Sequence, residues 1–240
     1  MGTKILFRTI LVLALVLFAL AAGCELLDIG LVKKAWWDGI FVLSYPFLTG
    51  ILVSFFFYWL VVWLPECTKR TTLKDDFKEY YRDLKEDLAV QIIFASQRGG
   101  RKDLHVDGHT EKMLLTVDGF RTAFNGGREA HDGFYAFSNG LGEGGEAFQE
   151  ITWLLKMLAK EIDYVLHNFK IADEDTRKYF KRLEVRLLWL SESKVDNDDD
   201  NRALCRFIYE IFAGFTHTTG YRGYDIVEKM IDGMKPQRVI

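Results

Sequence analysis

The stretch "IFVLSYPFLTGILVSFFFYWLVVWL", Ile40 to Leu64, contains no charged residue, and its reading decides the fold. At 1.5 Å per helical residue, about 20 residues cross a hydrocarbon core of roughly 30 Å. This run is longer, so it predicts a transmembrane helix that spans with some tilt. The alternative is a buried helix of a soluble domain, but uncharged runs of this length favour the membrane. Trp36 and Trp37 precede the run, and Trp59 and Trp63 fall near its far end. Such amphipathic rings favour the two interfaces. Pro46 predicts a kink and Pro65 an end to the helix, because proline removes a helical hydrogen bond and crowds the preceding turn.

Working outward, another apolar run lies upstream and is the first of the two in chain order. From Ile5 to Cys24 only Arg8 is charged, and its long stem can snorkel toward the headgroups. The tail of this run, "LAAGC" from Leu20 to Cys24, also fits a lipobox, with cleavage before Cys24 and lipidation of its thiol. The second run begins about 16 residues beyond Cys24, whereas exported lipoproteins continue into a soluble domain. An uncleaved first helix is therefore the favoured reading, and residues 1–65 read as a transmembrane hairpin with spans of about 5–24 and 40–64. Lys4 and Arg8 flank the first run, and Lys69, Arg70, Lys74 and Lys78 follow the second. The connector sets Lys33 and Lys34 against three acids. The positive-inside tendency then predicts a multi-pass protein of the cell membrane with both termini in the cytoplasm.

With 240 residues in all, the chain outside these runs suffices for one soluble domain of roughly 100–200 residues. The net charge of -3 gives no general electrostatic pull toward nucleic acid, whose binding normally needs a clustered basic surface, so nucleic acid is not an expected partner. Cys24, Cys67 and Cys205 lie far apart and match neither a metal spacing nor a disulfide framework. Cys67, just past the second run, is a candidate for palmitoylation, with a free thiol as the plainer reading.

Beyond the membrane the chain reads as all-α. Leu73, Phe77, Tyr80, Tyr81, Leu84, Leu88 and Ile92 recur at three- and four-residue steps, which predicts a juxtamembrane amphipathic helix over 66–97. Residues 98–145 read as loop-rich. Glu111 to Phe124 fits either a short helix or a strand, and Asn125 to Gly145 reads as a long glycine-rich loop. Val-Asp-Gly at 106–108 and 117–119 is too short to mark a repeat array. Over 146–240, four apolar stripes predict helices at Glu146–Phe169, at Asp173–Ser191, from "VDNDDDN" onward and near Tyr224–Met234. Stripes of this kind bury against one another as a helical bundle.

Several motifs carry possible chemistry. Gly140, Gly142 and Gly145 in "GLGEGG" have the G-x-G-x-x-G spacing ahead of a helix, where backbone N–H groups can cradle a phosphate. Glu143 and Glu146 would repel a pyrophosphate, and a helix follows where a strand is needed, so a flexible turn is the plainer reading. His105 and His109 are four apart, as a helical zinc site requires, but Asp107 and Gly108 between them favour a turn. His131 with Asp132 could complete such a site or act as an acid–base pair. Asp196, Asp198 and Asp200 alternate like the start of a calcium loop, but Asn201 and Phe207 stand where glycine and a bidentate glutamate are needed. That leaves an acidic turn at a helix N-terminus. Arg98 and His105, six residues apart in between, resemble the R-x(4-6)-H motif of the helical HEPN ribonucleases over eight residues. The resemblance implies metal-independent RNA cleavage.

No catalytic residue is assigned by these patterns, and no cofactor or metal is expected. The polar residues of the second run are Ser44, Tyr45, Thr49, Ser54 and Tyr58, able to hydrogen-bond between helices or line an oligomeric path. The function expected is a membrane-anchored binding, scaffold or regulatory module, partnered by the bilayer and by another protein or further copies of itself. One alternative is an oligomeric membrane-disrupting or pore-forming effector. The layout is similar to two-span effectors of prokaryotic immune systems, by architecture alone. A membrane-tethered hydrolase or ribonuclease using the loop histidines is the other alternative.

Overall fold

The computed structural model describes residues 35–125, 133–216 and 218–235, with backbone alone at 35–45, 48, 66 and 67. The Ile5–Cys24 run, residues 25–34 of the Glu25–Asp38 connector, His131 and Asp132 lie outside these residues. The fold is all-α. In chain order it comprises α1 (Ala35–Tyr58), a π-helical turn (Trp59–Trp63), α2 (Leu64–Arg98), α3 (Gly108–Leu115), α4 (Val117–Phe124) and α5 (Gly133–Gly142). There follow α6 (Glu146–Phe169), α7 (Glu174–Ser191), α8 (Asp198–Phe212), a short pair β1 (Phe215–Thr216) and β2 (Gly220–Tyr221), and α9 (Ile226–Gly233). Two compact units meet between Lys69 and Arg70.

In the first unit the expected stop at Pro65 does not occur, since Pro65 lies in the first turn of α2. Just before it, the Leu64 N–H donates to the Trp59 carbonyl, five residues back. The wider π turn moves the preceding carbonyls away from the proline ring, and the N–H that proline lacks falls where the hydrogen-bond ladder is already shifted. Trp59 and Trp63 stack across this turn with ring centroids 6.2 Å apart. Pro46 is likewise inside α1 without ending it.

The second unit encloses one apolar core. Leu73, Phe77, Tyr81, Leu84, Leu88 and Ile92 of α2 are all buried, as their spacing predicts. They join the stripes of α6, α7 and α8 in a single cluster. α6 and α7 pair as a helical hairpin. Its turn holds Lys170 in the left-handed region at φ 51°, and Asp173 caps α7 by accepting from the Thr176 N–H. The core also takes Leu114, Phe120, Phe124, Phe137 and Leu141, so the bundle draws on the chain from α2 onward and not only on 146–240.

The segment between α2 and α6 differs most from expectation. Glu111–Phe124 lies across two helices, because Thr116 is extended and its hydroxyl accepts from the Gly119 N–H as the cap of α4. Within the expected Asn125–Gly145 loop, Gly133–Gly142 is helical. Its glycines are tolerated because one of them is needed for packing. A Cβ at Gly140 would overlap the Ala95 carbonyl of α2, and a Cβ at Gly99 would overlap that of Ala136. Ala95 with Gly99, and Ala136 with Gly140, are small pairs four apart that let the two backbones approach closely. Burial of Ala136, Phe137 and Leu141 holds α5 there. The β1–β2 ladder pairs Phe215 with Tyr221 and Thr216 with Gly220.

Candidate functional site

Among the described residues, one helix is long and apolar enough to cross a membrane by length and composition, within Thr49–Arg98. Phe56, Phe57, Tyr58, Leu60, Val61, Val62, Trp63 and Leu64 are all exposed. Nearly consecutive positions separated by about 100° cover every side of a helix, so this segment is apolar all round. No charged residue occurs between Asp38 and Glu66. Pro46, Phe47, Gly50, Ile51, Ser54 and Phe55 share an open face of α1, and among the described residues a Cβ built on Gly50 meets no atom within 4 Å.

The residues singled out for chemistry mostly serve local structure. Arg98 donates from its guanidinium to the Gly144 carbonyl and packs against Gly145. Gly144 and Gly145 have φ of 74° and 89°, a conformation that glycine adopts without steric cost. The glycine motif is thus divided between a helix crossing at Gly140 and a turn closed by Arg98. His105 is exposed in the α2–α3 loop, and among the described residues no hydrogen bond or ion pair joins it to Arg98. Asp107 caps α3 by accepting from the His109 and Thr110 N–H groups at 2.8 Å each, which lowers its pKa. The helix therefore starts between the two histidines, and they do not share one helical face. No group of three or more His, Cys, Asp or Glu able to hold a metal ion occurs among the described residues. Around the acidic turn, Asn197 caps α8, and Asp200 accepts from the Lys194 N–H at 3.0 Å. Cys205 is buried, and burial pushes its thiol up to about 11. The side chain of Cys67 lies outside the described residues.

Three polar centres escaped the sequence reading. At the first, Lys85 Nζ lies 3.0 Å from Asp225 Oδ2, with 7% and 2% of the two side chains exposed. Tyr81 donates to the same oxygen at 2.6 Å, and Asp225 Oδ1 accepts from the Val227 N–H as the cap of α9. Burial, then the charge of Asp225 and the hydrogen bond to it, hold the Tyr81 phenol well above its ordinary pKa. Burial and the same carboxylate also raise Tyr179. Along the same helix Lys78 pairs with Asp232 at 2.7 Å, and Lys74 donates to the Asp232 carbonyl at 2.7 Å. Four α2 residues at helical spacing, Lys74, Lys78, Tyr81 and Lys85, thus hold the C-terminal helix. At the second centre, Arg101 forms two hydrogen bonds with Asp103, at 2.9 and 2.5 Å, and lies over the Phe124 ring. At the third, Arg121 donates to the carbonyls of Ala213 and Arg222 and lies over Tyr221. The partners of all three are distant in sequence or set by loop geometry, so no local motif announces them. Their faint signal is a charged residue beside an apolar stripe, as with Lys85 next to Leu84.

Compared with known proteins, the chain matches no family model, no curated protein and no solved structure.

Proposed function

We propose that this chain is a membrane-anchored binding, scaffold or regulatory module. In this reading Ile5–Cys24 and α1 cross the bilayer as two spans, and the helical unit from Arg70 onward works on the cytoplasmic side, against a protein partner or further copies of the chain. The observation that carries it is the contrast along one stretch of helix. From Phe56 to Leu64 the side chains are apolar on every side and nearly all exposed, whereas from Leu73 the apolar positions form one stripe used in the core. A helix apolar all round fits lipid, and a single stripe fits a water-facing domain. The basic residues that follow α1 support the cytoplasmic orientation. A reporter fused after Leu73 is expected to report from the cytoplasm, with the full chain resisting alkaline extraction from membranes. Activity of that reporter only outside the cytoplasm overturns the orientation, and release of the chain by alkali overturns the anchor. A stable protein partner without leakage of liposomes supports the binding module, while leakage by the full chain favours the pore-forming effector instead.

A further inference from the structure

We propose that the outer face of the α6–α7 hairpin docks on an anionic lipid surface, with Val185, Leu188 and Trp189 entering the headgroup region and the lysines around them binding phosphate. The surface belongs to the Arg70–Arg238 unit and does not depend on how many spans the chain has. α7 turns Phe180, Leu183, Leu187 and Leu190 into the core. On its opposite side Val185, Leu188 and Trp189 are 66%, 41% and 57% exposed. A lone exposed apolar side chain is ordinary, whereas neighbours at three- and four-residue steps form a patch that marks an interaction site. Lys178, Lys181 and Arg182, all exposed, continue the same face toward the start of α7. On α6, Trp153, Lys156 and Lys160 are likewise exposed opposite the core stripe. Burial and then the charge of Asp163 on α6 raise the pKa of Glu184 on α7, so the two outer faces adjoin along the hairpin.

Charge selects the occupant. Among the described residues Lys156, Lys160, Lys181 and Arg182 form no ion pair, whereas Asp163 and Glu174 are already engaged by His167 at 3.1 Å and Lys178 at 2.8 Å. These free cations would repel a second copy meeting the same face across a two-fold axis. Lysine is also depleted from the interfaces between proteins, and the aliphatic Val185 and Leu188 have no task against a sugar–phosphate backbone. A lipid surface uses every one of these groups. Tryptophan favours the membrane–water interface, aliphatic side chains enter the acyl boundary, and lysine stems lie along apolar surface with the ammonium at the phosphates.

The test uses the full chain with Cys24, Cys67 and Cys205 replaced by alanine and an environment-sensitive fluorophore attached to V185C. It is reconstituted into phosphatidylcholine vesicles with and without phosphatidylserine. Phosphatidylserine is expected to shift the emission to the blue and to bring the fluorophore within reach of quenchers carried on the lipid acyl chains. Raised salt is expected to reverse both effects, because exposed charges are screened. K156Q, K160Q, K181Q and R182Q together are expected to reduce the quenching several-fold, with melting temperature and resistance to alkaline extraction unchanged. Loss of the anchor thus reads differently from loss of the docking. The same fluorophore on Y135C, in α5, is expected to show no such quenching. Equal emission with and without phosphatidylserine, equal quenching at positions 135 and 185, or quenching unchanged in the combined variant overturns the lipid surface. A blue shift produced by single-stranded RNA in place of phosphatidylserine, or one that grows with protein concentration in detergent, overturns it in favour of nucleic acid or a second copy.

Discussion

Asp225 performs three tasks with two oxygens: it pairs with Lys85, accepts from Tyr81 and caps α9. A buried ion pair gives little net stability against a well-packed apolar pair, but removing one partner strands the other charge, at a cost of about 3–5 kcal/mol. Asp225→Asn keeps the cap through its remaining oxygen, while the amide nitrogen in place of Oδ2 cannot accept from Tyr81 and leaves Lys85 uncompensated, so denaturant unfolding should show a loss of at least about that size. The double variant with Lys85→Met should be more stable than Asp225→Asn alone, and equal stabilities would show that the charge pair is not the cause. Gly140 makes a different demand, because even a methyl group there meets the Ala95 backbone. Gly140→Ala is expected to destabilise by about 1–3 kcal/mol, as overpacking does, although alanine favours a helix elsewhere. A stabilised Gly140→Ala protein would show that the α2–α5 crossing is looser than described. Gly140 was visible in the sequence as part of a glycine motif. Its role was not, since nothing local shows that the backbone of Ala95 lies against it.

Helix starts set the acid response. Asp107 and Asp173 accept hydrogen bonds from the first turns of α3 and α7, chiefly from Thr110 and Thr176, and Asp103 accepts from Arg101. All three carboxyls are held below the ordinary aspartate value. Their contribution is complete above an unfolded pKa of about 3.9 and is lost as pH falls through the lower folded values. Tyr81 and Tyr179 act in the opposite direction, with pKa values raised chiefly by burial. Their contribution is complete below about pH 10 and is lost as pH rises toward the folded values. Melting temperature should therefore decline below about pH 4 and again above about pH 10, with the absorbance of these two tyrosinates appearing only together with unfolding. Early ionisation of the whole tyrosine set in the folded protein would contradict their burial. The helices α2, α6, α7 and α8 were legible because their apolar residues repeat every three or four positions over many turns. α5 was not, because Gly133, Gly140 and Gly142 are locally unfavourable in a helix. Tertiary burial of Ala136, Phe137 and Leu141 overrides that preference. Pro65 misled for a related reason, since the π turn at Trp59–Trp63 leaves no mark in the pattern of residue types.

Arg70–Arg238 has its own apolar core, so a fragment beginning at Arg70 is expected to remain soluble without detergent and to unfold in one cooperative transition by calorimetry. Aggregation of that fragment, or a broad non-cooperative melt, would mean that the bundle depends on the first unit. The sequence by itself determined what is additive along the chain. Ile40–Leu64 is an uncharged run of membrane-spanning length, and the remainder carries long helical stripes. Such properties depend on residue type and spacing, which survive without any knowledge of contacts. Only the tertiary structure decided which polar groups meet. Lys85 and Asp225, Arg98 and Gly144, and Arg121 and Arg222 are each separated by many residues, and their pairing depends on which stripe lies against which.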